Sequence, residues 1–400
     1  METKPHYFLL DGLRGIAALM VLWYHVFEGF AFAGGTIIET FNHGHLGVDF
    51  FFMLSGFVIS YAYDGRWGNK TTRLQDYKTT SGDYNFTIWS FFKRRLIRLH
   101  PMVIMGACIG LTTYLIQGGE RWDGTTVSPH WIILAFVLAI FLIPVYPGAT
   151  YDVRGNGEMF PLNGPSWSLF FEYIGNIIYA IFIRKLSNKK LLALTITIGV
   201  GWIMFVIFDV SGYDMIGIGW TLDTVNFFGG LLRMLFPFTL GMLMSRCYGQ
   251  RQKANGKNHR AKFLSFLTKN IFLISAVVLF VIFSVPYFPK NGTLSVNGIY
   301  ELVCIIFVFP VVVWFGASAK MTNSFSTKLC KFLGDISYPL YTVHYPVMYL
   351  FYSWLIKNEL YTLGETWQVV TLVMATNIAL AYVCLKLYDE PLRKRLLINN

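Results

Sequence analysis

Apolar runs of about 18 to 22 residues recur along this chain, each long enough as a helix to cross a hydrocarbon core of roughly 30 Å. They fall at roughly 13–30, 46–63, 101–117, 130–146, 166–184, 190–209, 226–246, 270–288, 298–317, 336–355 and 366–386. Of the 400 residues 54% are hydrophobic and only 14% charged, which is too little polar surface for a water-facing fold and leaves no soluble domain over. The expected architecture is all-α: a polytopic membrane helix bundle formed as one unit over residues 1–400.

A net charge of +11 could suggest nucleic acid, so where the charge lies has to decide. With the N-terminus inside, Lys and Arg gather in 64–100, Arg184 to Lys190, Arg246 to Lys269, Lys320 to Lys331 and the tail from Lys386, with seven of the 33 elsewhere, two of which, Lys4 and Arg14, belong to the inside N-terminus. That is the positive-inside pattern, so no nucleic acid partner is needed; it places both termini on the cytoplasmic side of a bilayer. Asp209 to Asp223 and 147–165, with Asp152, Arg154 and Glu158, suit outer loops. The loop signs require an odd number of crossings between 101 and 165, where there are two apolar runs. Ten spans are therefore expected, and Pro144 and Pro147 make 130–146 the shallow, re-entrant or broken run.

Cys108, Cys247, Cys304, Cys330 and Cys384 stand singly, with no CxxC and no His/Cys ligand spacing, so neither disulfides nor a metal are expected. The opening residues lack a basic region and a small-residue cleavage site, and the first apolar run should remain in the membrane.

Ionisable side chains inside spans are costly, so each needs a reason. Arg14 and His25 are eleven residues apart, which is three helical turns plus about 20° and a rise of roughly 16 Å. They share one stripe, with the cation towards the cytoplasm and the imidazole well within the bilayer. Asp49 starts the second span, where it can serve as a cap, and Ser55-Gly56 lies midway along it, where small residues permit close helix packing. Trp167-Ser168-Leu169 is followed by Glu172, with Ser168 and Glu172 spaced i,i+4 on one face below the outer surface. Arg233, about two turns into its span, needs an anion: Glu172, Asp49 or a substrate. Ser337-Tyr338 and His344 lie on another polar helix, with His344 seven residues past Ser337 on the same face. In Phe91 to Pro101 the cations Lys93, Arg94, Arg95 and Arg98 form a basic amphipathic turn that is expected to stop at the proline. Such a cluster can fork around phosphates or bind anionic lipid.

Taken in order, these segments resemble the acyltransferase-3 family of membrane O-acyltransferases over nearly the whole chain. Asp11 to Gly15 with His25 is similar to the family's opening arginine and histidine with ten residues between them, Gly47 to Phe57 to its second-helix motif, and Arg95 to Arg98 to its paired-arginine element. Trp167 to Leu169 with Glu172, Ser337-Tyr338 with His344, and Glu390-Pro391 resemble its later motifs. Longer relatives carry an extra-cytoplasmic hydrolase-like domain after the last span; none is expected within these 400 residues.

The resemblance implies acyl-CoA, by default acetyl-CoA, as a co-substrate rather than a bound cofactor. The acceptor it implies is a hydroxyl of a carbohydrate or lipid-linked glycan of the cell envelope. Arg95 and Arg98, with Lys93 or Arg94, would hold the CoA phosphates, and Arg14 would meet the pantetheine arm or the phosphates. His25 would act as general base, or else as a nucleophile carrying the acyl group, oriented by Glu172 or Asp49. Ser55, Trp167, Ser168, Arg233, Ser337, Tyr338 and His344 are candidates for the substrate pocket. The expected location is a bacterial cytoplasmic membrane. The alternative is a proton-coupled transporter or exporter of a glycan, with Arg14, His25, Glu172 and His344 as a relay. Oligomeric state stays open.

Overall fold

Helices form where the apolar runs lie. The computed structural model describes residues 6–34, 41–67, 86–254, 264–290, 292–318 and 324–398. The basic stretches 68–85 and 255–263, which contribute to the orientation argument, lie outside the described residues. In chain order the helices are α1 (Phe8–Ala33), α2 (Leu46–Tyr63), α3 (Ile88–Ile116), α4 (Pro129–Ile140), α5 (Ser166–Ile181), α6 (Asn188–Ile207), α7 (Thr224–Ala254) and α8 (Leu264–Ser284). Then α9 (Val296–Val303) continues through a π-helical turn into α10 (Phe309–Ser318), followed by α11 (Ser324–Asn358), α12 (Leu363–Cys384) and, after a second π-helical turn, α13 (Glu390–Ile398). Among the described residues β structure is confined to three isolated bridges. The protein is all-α, as expected.

Side-chain caps mark several helix starts: Thr87 accepts from Ser90 N at 3.1 Å, and Ser295 from Gly298 N at 3.0 Å. Eight helical stretches have the length and apolar character to cross a membrane. With α8 and α11, of 21 and 35 residues, that makes ten elements of crossing length. α4 has only 12 residues, about 18 Å of rise, and cannot span roughly 30 Å. Leu142 follows it with φ 52°, in the left-handed region, and the chain turns away before Pro144. The irregular run is the one that the prolines pointed to.

The basic segment before Pro101 differs from expectation. It does not stop there: α3 runs unbroken through the proline. Inside a bundle a proline can be tolerated within a helix, and α11 packs against α3 at this turn, where the Tyr338 hydroxyl donates to Leu99 O at 2.6 Å. Arg95 and Arg98 therefore sit on the same rigid rod as the span and are carried into the bundle.

α1 packs chiefly on α11, α2 on α7, and α3 on α11. Two of these crossings are backbone-close. A Cβ on Gly56 would overlap the carbonyl of Phe238 in α7, and one on Gly241 would overlap the carbonyl of Met53 in α2. Gly15 meets Leu333 and Gly334 meets Asp11 in the same way across α1 and α11. Small residues let membrane helices approach this closely, which bears out the packing role for Gly56, while Ser55 faces a cavity.

Between α4 and α5 the chain folds onto the end of the bundle. The Asp152 carboxylate accepts the amides of Gly155 and Gly157, both at 3.0 Å, and those glycines adopt φ of 71° and 79°, where a side chain would be strained. The turn they make brings Asn156, Glu158, Gly164 and Pro165 to the wall of a large cavity.

Val at position 56 or 241 would have to push the α2 and α7 backbones apart, at a cost of about 1–3 kcal/mol or more. Gly56→Val and Gly241→Val should each lower the thermal unfolding midpoint of detergent-purified protein, whereas Gly201→Val, whose Cβ would meet nothing within 4 Å, should not.

Candidate active site

Two cavities within the bundle share part of their walls. The first, of about 120 Å³, is bounded by α1, α2, α3, α5 and α11 and contains Arg14, Arg95 and Arg98. The second, of about 450 Å³, is aromatic, with Tyr24, Trp122, Trp167, Trp220, Tyr345 and Tyr349 in its wall. Only Val48 and Tyr341 line both.

In the arginine cavity most of the polar groups are already used. Arg14 donates from Nε to Ser337 Oγ and from Nη2 to Gly334 O, both at 2.8 Å, with Asp11 at 3.6 Å. The close α1–α11 contact at Gly15 and Gly334 makes this possible. Arg95 is buried and donates to Glu172 Oε1 at 2.7 Å, and Ser55 Oγ donates to the same oxygen at 2.8 Å. Arg98 differs: it is exposed to the cavity and has no hydrogen-bond or ion-pair partner among the described residues. Lys93 and Arg94 lie on the same helix but line neither cavity; the Arg94 guanidinium sits 5.8 Å from the Phe86 ring centre. Tyr338, also in the cavity wall, holds Leu99 as described above.

His25 lines the aromatic cavity. Its Nδ1 lies 2.7 Å from Glu28 Oε2, and the same oxygen accepts the hydroxyls of Tyr352 at 2.8 Å and Tyr345 at 3.0 Å. In a neutral ring, a carboxylate beside Nδ1 favours the tautomer with the proton there and the lone pair on Nε2. That nitrogen has no partner among the described residues. Glu28 was absent from the candidates, although its spacing of three residues from His25, on one helix face inside an apolar run, was a readable signal. Glu172 and Asp49, the two carboxylates proposed to orient His25, have other partners. Glu172 is taken up by Arg95 and Ser55 on the wall of the other cavity, and Asp49 by Arg233.

The anion for Arg233 is thus Asp49, held by two parallel bonds at 3.0 and 2.8 Å with both groups fully buried. Trp167 lies under the guanidinium at 5.0 Å, and Ile218 O accepts its remaining arm at 3.1 Å. Ser168 Oγ and the Tyr341 hydroxyl are 2.6 Å apart, and both reach Pro165 O. The His344 ring lies 5.2 Å from that of His25; its Nδ1 faces the carbonyls of Leu340 and Tyr341, and its buried Nε2 has no hydrogen-bond partner among the described residues.

Two further groups escaped the sequence. His45, on the wall of the aromatic cavity, directs Nε2 at Glu301 Oε1 at 3.0 Å, and the fully buried His43 approaches the same oxygen at 3.7 Å. Glu158 binds the Tyr349 hydroxyl, and Arg154 stacks 3.5 Å from the centre of the Tyr349 ring. Burial pushes the Glu158 carboxyl up to about 7, against the pull of Tyr349 and Arg154. Both groups join residues far apart in the chain, and only the folded bundle shows that they meet. Among the described residues no group of three or more His, Cys, Asp or Glu side chains is placed to hold a metal ion.

The acyltransferase-3 family model, described as an acyltransferase domain, matches residues 8–386. The chain belongs to the acyltransferase-3 family. The bundle is thus an acyltransferase domain in a multi-pass membrane protein. A Bacillus subtilis (strain 168) protein provisionally named peptidoglycan O-acetyltransferase YrhL is 25% identical over 98% of this chain and 56% of its own length. A Staphylococcus aureus (strain COL) protein provisionally named an O-acetyltransferase is 25% identical over 88% of this chain and 52% of its own. The chain spans about half the length of these two relatives. Protein 2 in the picA locus of Rhizobium radiobacter is 31% identical over 47% of this chain and 89% of its own length. No solved structure matches the chain.

Removing one member of the Asp49–Arg233 pair strands the other charge in the interior, at a cost of about 3–5 kcal/mol. Asp49→Asn should therefore lower the unfolding midpoint sharply. The double variant Asp49→Leu with Arg233→Met should recover much of that loss, and thermal unfolding in detergent reads both.

Proposed function

We propose that this acyltransferase moves an acyl group, acetyl by default, from acyl-CoA in the arginine cavity to a hydroxyl of a carbohydrate or lipid-linked glycan in the aromatic cavity. The observation that carries the reading is a pair of unpartnered groups on either side of one boundary: Arg98 in the first cavity and His25 Nε2 in the second. Every other arginine in the two cavities is bound to protein. A guanidinium without an anion in a confined cavity suits the phosphates of CoA, with Arg95 and Arg14 bordering the path of the pantetheine arm. The aromatic lining offers stacking faces to sugar rings, and the provisional names of two relatives point to O-acetylation, one of them of peptidoglycan. The basic loops support a bacterial cytoplasmic membrane placement with both termini and the arginine cavity on the cytoplasmic side, where acyl-CoA is made.

In this mechanism His25 Nε2 takes the proton of the acceptor hydroxyl as its oxygen attacks the thioester carbonyl. The tetrahedral intermediate collapses by breaking the carbon–sulfur bond, and the CoA thiolate recovers the proton, so the balance is ester plus free thiol. Glu28 holds the ring in the productive tautomer and stabilises the imidazolium that forms, with Tyr345 and Tyr352 holding Glu28 in turn. The other route has Nε2 attack the carbonyl itself and carry the acyl group. A burst of CoA release without acceptor marks that route, and its absence marks direct transfer.

Detergent-purified protein given acetyl-CoA and glycan acceptors should release free thiol. His25→Ala should lower kcat by about 10²–10⁴-fold. Glu28→Gln should lower kcat by at least about tenfold with little change in the KM for acetyl-CoA, because it acts through His25. Arg98→Ala should instead raise that KM. Full transfer by His25→Ala would sink the proposal.

A further inference from the structure

We infer that Val48 and Tyr341 form a fixed aperture that selects the acyl group by its cross-section, admitting narrow groups such as acetyl and rejecting branched or aromatic ones. The inference rests on the two-cavity transfer proposed above and adds the determinant of donor specificity. If phosphate is held near Arg98 and the hydroxyl is activated at His25, the acyl group has to meet the boundary between the cavities. Of all the lining residues these two alone belong to both.

Both walls are held rigidly. Val48 is β-branched and stiff at χ1, and it directly precedes Asp49, whose two bonds to Arg233 prevent α2 from rotating there. Tyr341 is held at its far end, where its hydroxyl and that of Ser168 close on each other at 2.6 Å and on Pro165 O. Its ring is braced edge-on against Phe51, with centres 5.5 Å apart. Further along α2, the contact of Gly56 with Phe238 and of Gly241 with Met53 fixes the spacing between α2 and α7. A flexible gate would adapt to bulk, whereas a rigid one discriminates, and one excess methyl group in a fixed apolar passage is worth roughly 10–200-fold.

The test compares acetyl-, propionyl-, isobutyryl- and benzoyl-CoA with the wild type, Val48→Ala and Val48→Phe. The wild type should use acetyl-CoA at least about tenfold better in kcat/KM than isobutyryl-CoA. Val48→Ala should narrow that ratio at least about fivefold by admitting the branch. Val48→Phe should lower kcat/KM for acetyl-CoA at least about tenfold, while the Kd of free CoA, which has no acyl group to place in the aperture, changes less than about twofold. An acetyl to isobutyryl ratio in Val48→Ala equal to that of the wild type overturns the aperture and leaves acyl transfer standing. If the wild type releases no CoA from acetyl-CoA, and Arg98→Ala binds free CoA as the wild type does, the donor-site reading falls and the aperture falls with it.

Discussion

Arg233 enters the bundle with its charge removed from water, and the centre of the protein is arranged around that fact. A buried guanidinium is tolerable only with an anion in good geometry and its remaining donors satisfied. Asp49 supplies the anion, Ile218 O accepts another arm, and Trp167 offers its ring face. This ties α7 to α2, to the segment before α7 and to the start of α5. Gly56 and Gly241 let α2 and α7 come close enough for the pair to form. The positions of Val48 and Ser55 along α2, and of His45 just before it, then follow from one charge pair, because a helix held at one turn is held at its neighbours.

That pair also separates the polar groups that build the bundle from those left to act. Arg14 spends its donors on Ser337 and Gly334, Arg95 on Glu172, and Arg233 on Asp49. These are helix-to-helix ties, each joining elements far apart in sequence. Arg98 and the Nε2 atom of His25 make no such tie among the described residues. In a medium where an unpaired polar group is costly, groups left without a protein partner point to a partner that arrives from outside. Charged residues with the same look in the sequence thus fall into two kinds, and their partners, not their identities, tell them apart.

The fold was legible because lipid imposes a length on every span, and that length is written in the apolar runs. The short α4 was readable too, since Pro144 and Pro147 bar a helix from continuing. Pro101 misled: proline ends helices in water, but inside a bundle neighbouring groups compensate and α3 runs on. Within the site, Arg14 and His25 could be placed on one stripe because helical periodicity is local. Pairings between helices could not be read. Glu172 was equally plausible as a partner for His25 or Arg233 until α3 was seen to carry Arg95 beside it. Glu28 is the opposite case, because its contact with His25 is local and its spacing alone could have found it.

The division into two cavities bears on a problem that any transfer from a thioester must solve. Water competes with the acceptor hydroxyl, and a general base that activates one can activate the other. Here His25, the proposed base, belongs to the larger, aromatic chamber, while the arginines proposed to hold the donor belong to the smaller one. With Val48 and Tyr341 between them, a thioester would meet the activated nucleophile only at the boundary, and an acceptor stacked on the aromatic walls would leave little room there for solvent. The rigidity of that boundary would then have a chemical use beyond packing. The tether of Tyr341 to Ser168 and Pro165 holds one wall of that boundary, and the Asp49–Arg233 pair, by fixing Val48 one residue away, would make the stability of the bundle and the proposed selectivity of the transfer depend on the same charge.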